Sequence, residues 1–203
     1  TMDWNNYQTT TYDLDLVAVA FVDNVGNAEV TGLELNVQYD INDTTSFTYY
    51  FNGVDATLAE DYYQYADEDI GRVLYARSGN RLSDIPESSH YISLDRDFYY
   101  GKNAGYFNID YSYTGDRPND YGDGAIILPS YSQANLRAGL DFSNTSVEFY
   151  VNNLFDKNGY LSRYDDFASV GSESVGGSGY PGFGIRRTGS KPRVVGIRFR
   201  YRY

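Results

Sequence analysis

Apolar and polar residues alternate along most of this chain with a period of two, the side-chain repeat of an extended strand. The repeat is strictest at the end, where Val195, Ile197, Phe199, Tyr201 and Tyr203 alternate with Gly196, Arg198, Arg200 and Arg202. Earlier, Leu33, Leu35, Val37 and Tyr39 alternate with Glu34, Asn36 and Gln38, and Phe47, Tyr49 and Phe51 with Thr48, Tyr50 and Asn52. Ile92, Leu94 and Phe98 stand against Ser93, Asp95 and Asp97, with Arg96 intruding on the apolar set; Phe107, Ile109, Tyr111 and Tyr113 stand against Asn108, Asp110 and Ser112. Leu136, Ala138, Leu140 and Phe142 oppose Asn135, Arg137, Gly139 and Asp141, and Val147, Phe149 and Val151 oppose Glu148, Tyr150 and Asn152. With a first strand expected where Tyr12, Leu14, Leu16 and Ala18 alternate with more polar neighbours, the pattern predicts eight strands and no helix.

The connections sort by parity. Short turns fall near residues 42–44, 101–104 and 143–146, and long, irregular segments near 59–88, 118–130 and 158–190. Strands running up and down place all the short turns at one end and all the long loops at the other. That is the pattern of an outer-membrane barrel, whereas a Greek-key sandwich has no reason to sort its loops this way. The fold expected is all-β: an antiparallel, up-and-down transmembrane β-barrel segment in which the apolar faces meet lipid and the polar faces line a wet interior. A secreted sandwich of lectin or glycosidase type would instead pack the faces of Leu33, Ile109, Leu140 and Ile197 into one core.

Composition fits this reading. Of 203 residues, 23 are Tyr and 11 Phe, an abundance that suits strands and interfacial girdles. A net charge of -12 excludes a nucleic-acid-binding surface, which needs clustered Lys and Arg. There is no cysteine, so neither disulfides nor thiolate metal sites arise. The longest apolar run, residues 16–22, is too short to span a bilayer as a helix. No charged segment followed by an apolar run opens the chain, so an export signal is expected to lie outside it.

Three segments carry a family likeness: residues 27–35 (Asn-Ala-Glu-Val-Thr-Gly-Leu-Glu-Leu), 150–157 (Tyr-Val-Asn-Asn-Leu-Phe-Asp-Lys), and the ending 191–203 that begins Lys-Pro-Arg. In this order and spacing they resemble the C-terminal part of TonB-dependent receptors, the plugged transporters of Gram-negative outer membranes. Gly79-Asn80-Arg81-Leu82 with Ile85-Pro86 is similar to the segment those receptors carry at the foot of a long loop. The resemblance implies that residues 1–203 are the C-terminal portion of a barrel of about 22 strands, with the plug outside this stretch. It further implies a non-enzymatic role in importing a scarce ligand, an iron-siderophore or an oligosaccharide. The implied partners are the remaining strands and plug of the same receptor, TonB through that plug, and outer-membrane lipid. A free-standing eight-stranded barrel is the alternative; in it the first strand would pair with the strand ending at Tyr203.

Two groups of residues are candidates for chemistry. Tyr62, Tyr63, Tyr65, Tyr75, Tyr121, Tyr160, Tyr164 and Tyr180 lie in the long loops and offer aromatic faces and hydroxyls to a ligand, or pack the loops against one another. Arg198, Arg200 and Arg202 form a cationic row expected to pair in the lumen with Asp141 and Glu148, the latter beside Arg200 or Arg202. No cofactor or metal is expected. Asp67, Glu68 and Asp69 match no calcium loop, and His90, expected at a strand margin, has no ligand set around it. Gly177, Gly179 and Gly182 match a dinucleotide fingerprint only by letter, because Pro181 interrupts it and no helix follows. With a single histidine, no nucleophile, base and orienting acid can be assembled.

Overall fold

The computed structural model describes residues 1–12, 20–67, 69–164 and 186–203. Its main element is one antiparallel sheet of eight strands: β1 (Met2–Trp4), β4 (Ala28–Asn42), β5 (Thr45–Leu58), β8 (Ser88–Tyr100), β9 (Asn103–Thr114), β12 (Tyr131–Phe142), β13 (Thr145–Asn152) and β16 (Val194–Tyr201). These pair in chain order. Each long connection between them carries a two-stranded extension: β2 (Gln8–Tyr12) with β3 (Ala20–Asn24), β6 (Tyr62–Asp67) with β7 (Gly71–Ala76), β10 (Arg117–Pro118) with β11 (Ile127–Leu128), and β14 (Tyr160–Tyr164) with β15 (Arg186–Gly189). Four long loops thus stand at one end of the sheet and three tight turns at the other.

The register keeps the two faces apart. Across the sheet Val37 lies opposite Tyr49, Tyr49 opposite Ile92, and Ile92 opposite Tyr111; further on, Ile109 lies opposite Leu136 and Phe149 opposite Ile197. Glu34, Thr48, Ser93, Asp110, Asn135 and Glu148 fall on the other face by the same pairing. The apolar face is bare: Leu33 is 66% exposed, Ile197 60% and Phe199 69%. A sandwich core would have covered these side chains, so the two-layer reading fails. A face this broad and apolar suits hydrocarbon rather than water. On β4 it runs from Leu33 to Ile41, roughly 26 Å along the strand and roughly 20 Å after a barrel's tilt, near the thickness of a barrel's lipid band. Arg96, the intruder, sits opposite Thr45 and Phe107 beside the turn end, where its long stem lets the charge reach water.

Two expectations are corrected. The sheet's first strand is Met2–Trp4, which pairs with Ala28 to Val30, and not the stretch around 12–18. Residues 13–19 lie outside the described residues, and Tyr12 pairs with Ala20 in a hairpin of the first long loop. A strand of three residues is too short to show a period, which is why alternation did not pick out Met2–Trp4. His90 is not at a margin: it lies within β8 between Phe51 of β5 and Tyr113 of β9, and its Nδ1 is 3.0 Å from the Tyr49 hydroxyl. Among the described residues β1 and β16 occupy opposite edges of the sheet and do not pair, contrary to a free-standing eight-stranded barrel.

The turn end is built as the asparagines suggest. Asn42 Oδ1 accepts from the Thr44 amide at 3.0 Å and from its hydroxyl at 2.9 Å, closing the β4–β5 turn.

Candidate functional site

The enclosed core of the molecule is not within the sheet but at its long-loop end. Ala28, Ala56 and Leu58, at the upper ends of β4 and β5, pack with Val25 of the first long loop, Tyr62, Ala76 and Leu82 of the second and Tyr121 of the third. Val25, Ala76 and Leu82 are fully buried. The segment 79–82 sits where the resemblance put it, at the foot of the second loop. Gly79 takes a φ of +87°, Leu58 N donates to the Asn80 carbonyl at 2.9 Å, and Leu82 N donates to the Ala56 carbonyl at 2.9 Å.

Strand alternation inside the second loop splits the tyrosines. On β6, Tyr62 and Gln64 point inward at 6% and 3% exposure, while Tyr63 and Tyr65 point outward at 45% and 44%. Tyr62, Tyr75 and Tyr121 meet edge to face, with centroids 5.3 to 6.2 Å apart. They pack loops together instead of forming an open floor. The Tyr62 hydroxyl donates to Asp23 Oδ2 at 2.8 Å, and the Tyr75 hydroxyl donates to Asp120. Burial, reinforced by the Asp120 carboxylate, raises the Tyr75 pKa well above the ordinary tyrosine value, so it remains a donor. Tyr160 is exposed and carries the Arg187 guanidinium over its ring at 5.5 Å. The side chain of Tyr164, all of Tyr180, Glu68 and the glycines 177, 179 and 182 lie outside the described residues.

Acids and cations, of which only Arg81 belongs to a segment conspicuous in the sequence, stitch the second loop to the third. Arg77 pairs with Asp123, Asn80 Nδ2 donates to the Tyr121 carbonyl at 3.0 Å and to Asp123 Oδ1 at 2.9 Å, and Arg81 Nη1 meets Asp116 Oδ2 at 3.1 Å. The first loop joins them through Asn27, whose amide donates to Glu60 Oε1 at 2.8 Å. The fourth is anchored at its base by Asn153, 3% exposed with a φ of +54°, a backbone state asparagine tolerates. Its Oδ1 accepts from the Lys157 amide, and its Nδ2 donates to the Lys157 and Lys191 carbonyls, each at 3.0 Å. Asp156 Oδ1 then accepts from the Arg193 amide at 2.8 Å, so the Asn-Leu-Phe-Asp segment and the closing strand are bound to each other.

On the polar face Glu148 is opposite Arg198, not Arg200 or Arg202: the β13–β16 register sets the pairing, and Arg198 Nη1 lies 2.6 Å from Glu148 Oε1. The Tyr106 hydroxyl donates to the other carboxylate oxygen, and the Arg198 guanidinium stands 5.6 Å above the Tyr150 ring. Arg200 is opposite Ser146, which in turn is opposite Asp141, so these three share a rung near the turn end. Arg202 lies past β16, its amide donating to the Asn144 carbonyl at 2.8 Å. Farther up, Asn108 Nδ2 donates to Asp95 and Asn135 Nδ2 to Asp110, both at 2.7 Å. A half-exposed pair such as Glu148 with Arg198 contributes about 0.5 kcal/mol, so the row sets the polarity of this face more than its stability.

Comparison with known proteins agrees with this architecture. A family described as TonB dependent receptor-like, beta-barrel, matches residues 2–154. Among solved structures, the ferric yersiniabactin uptake receptor FyuA from Yersinia pestis aligns with a TM-score of 0.66 at 19% identity, over 89% of this chain and 24% of that one. The siderophore receptor PiuA from Acinetobacter baumannii aligns with a TM-score of 0.63 at 16% identity, over 88% of this chain and 22% of that one. The chain thus spans under a quarter of the receptors it matches. A search of curated sequences finds no match.

Proposed function

This chain belongs to the TonB-dependent receptor β-barrel family, and on that footing we propose that it is the C-terminal portion of a transporter that captures an iron-siderophore and imports it across a Gram-negative outer membrane. Its place in that work is structural and receptive. The apolar face meets lipid, the polar face lines the lumen and meets the plug, and the four long loops form part of the outward rim. The plug, its contact with TonB and the remaining strands complete the machine. The observation that carries this reading is the sorting of the molecule into a one-sided apolar sheet with a packed, multi-loop cap at a single end. Transport by this route is binding and conformational change, not bond chemistry.

Among the candidate tyrosines whose side chains are described, Tyr63, Tyr65 and Tyr160 are left to meet a ligand, since Tyr62, Tyr75 and Tyr121 are consumed by packing. The two outward rings of β6, Tyr63 and Tyr65, also favour a second reading in which an oligosaccharide stacks on them. The test uses cells whose intact receptor is the sole uptake route, supplied with a panel of ferric siderophores and, separately, oligosaccharides as sole carbon source. Alanine at Tyr63, Tyr65 and Tyr160 together is expected to weaken ligand binding by about tenfold or more, with heat-modifiable gel mobility unchanged. Uptake of neither class by the wild type, or loss of insertion before loss of uptake in the triple variant, would overturn the reading.

A further inference from the structure

A polar ring stands on the lipid-facing side of the sheet. His90 is opposite Phe51 of β5 and Tyr113 of β9, in the row of Leu35, one row inside the loop-end limit of the apolar band. Its ring centroid lies 5.0 Å from that of Phe51, 5.6 Å from that of Tyr113 and 6.1 Å from that of Tyr49. Nδ1 is committed to the Tyr49 hydroxyl at 3.0 Å, whereas Nε2 makes no hydrogen bond among the described residues. Arg96 leaves the same face on a long stem; an imidazole on one methylene, held among three rings, does not reach so far. A polar atom left unpaired at the edge of hydrocarbon is costly, so the partner of Nε2 comes from whatever meets this face.

His90 also heads an open depression of about 770 Å³, within the range of about 300–1,000 Å³ that suits a small ligand. Its loop-side end is polar, with Ser88 and Tyr113 beside the imidazole; its other end is formed by Phe47 and by Ile92 and Tyr111, each 38% exposed. In a chain of net charge -12, no Asp or Glu falls on this face of β5, β8 or β9 in the rows from Ser88 to Arg96. We propose that the depression seats one lipid of the leaflet on the loop side, its headgroup phosphate accepting from His90 Nε2 and an acyl chain lying over Ile92 and Phe47. The Tyr49 hydroxyl donates to Nδ1, which leaves the proton on Nε2. Water or free phosphate could satisfy the imidazole but would leave the apolar end bare, whereas an amphiphile fills both ends. Phosphate is the acceptor that gains most from an N–H donor, and here no carboxylate on the same face repels it.

The inference rests on the reading that the apolar face meets lipid, not on what the receptor imports, so its test needs no siderophore. The intact receptor, stripped of lipid in detergent, is titrated with dioleoyl phosphatidylglycerol, with dioleoylglycerol and with inorganic phosphate, and bound lipids are counted by native mass spectrometry. Wild type is expected to hold one phosphatidylglycerol more tightly than dioleoylglycerol by about tenfold to a hundredfold, the discrimination of a hydrogen bond to a charged acceptor. Inorganic phosphate is expected not to displace it. H90F keeps a ring between Phe51 and Tyr113 but removes both nitrogens, and is expected to lose the preference while holding both lipids equally, with heat-modifiable gel mobility unchanged. Equal retention of the two lipids by wild type, a preference that survives in H90F, or displacement by inorganic phosphate overturns the headgroup assignment. The wild-type comparison decides alone if H90F does not insert. A receptor that holds neither lipid and stays dispersed without detergent would count against the lipid-facing reading itself.

Discussion

Leu82 is fully buried at the foot of the second loop, within the cluster of Val25, Leu58, Tyr62, Ala76 and Tyr121. Replacing it with alanine removes three carbon atoms from an enclosed site. At about 0.8 kcal/mol per buried methylene the transfer loss is about 2.4 kcal/mol, and incomplete collapse around the cavity brings the cost to about 3 kcal/mol. That cost should fall on the cap and not on the sheet, because no side chain of the cluster reaches the lipid-facing band. The natural assay is hydrogen exchange by mass spectrometry on the intact receptor. The amides of Leu58, Gly79 and Leu82 bond across this junction at 2.8 to 2.9 Å, and they report its opening. A cost of about 3 kcal/mol predicts exchange faster by about a hundredfold at these amides, with residues 134–140 of β12 unchanged. L82M, which keeps the volume, should stay within about tenfold of wild type. Exchange at 79–82 within about threefold of wild type in L82A would refute the claim that the loop-end core holds the rim together.

Two further predictions follow from the faces and from the loop tyrosines. Arginine at Ile197, on the apolar face opposite Phe149, is expected to cost about 2–4 kcal/mol and reduce insertion into vesicles, whereas arginine at Ser146, on the polar face opposite Arg200, should be tolerated; equal effects would mean the faces are misassigned. Because the folded-state pKa of Tyr75 is raised, its contribution to stability is fully present below about pH 10, where the unfolded tyrosine titrates, and is lost as pH rises beyond that toward the folded value. The Y75F variant should show a flatter loss of cap stability above about pH 10 than wild type, and the wild-type-minus-Y75F difference in absorbance near 295 nm should contain no ionisation at the ordinary tyrosine value; a normal titration of Tyr75 would contradict its burial against Asp120.

Residues 191–203 show where local pattern suffices and where it stops. Alternation alone made Val195 to Tyr201 a strand with one apolar and one cationic face, and the structure keeps both. The sorting of loops by length came from the same local reading, and the Asn-Leu-Phe-Asp and Gly-Asn-Arg-Leu segments were conspicuous by their letters. What periodicity could not give was register. Glu148 and Arg198 are 50 positions apart, and a shift of two residues keeps every face intact while exchanging every partner, so the choice among Arg198, Arg200 and Arg202 belonged to the β13–β16 register, which no tight turn sets. Met2–Trp4 is too short to show a period at all.

The loop rim was the least legible part, for the same physical reason. Tyr62 and Tyr63 are adjacent and chemically identical, yet one is core and the other outward, because the β6–β7 hairpin inside an acidic segment imposes an alternation that only its neighbours from other loops make visible. Arg117, Asp123 and Asp116 act on partners 35 to 46 positions away, over a distance at which side-chain sequence carries no periodic trace. The sequence by itself determined seven of the sheet's eight strands, their two faces and the end at which the loops gather, since these follow from backbone geometry repeated residue by residue. Tertiary structure alone decided which tyrosines are spent on packing and which arginine meets Glu148, since these depend on surfaces brought together only once the sheet has formed.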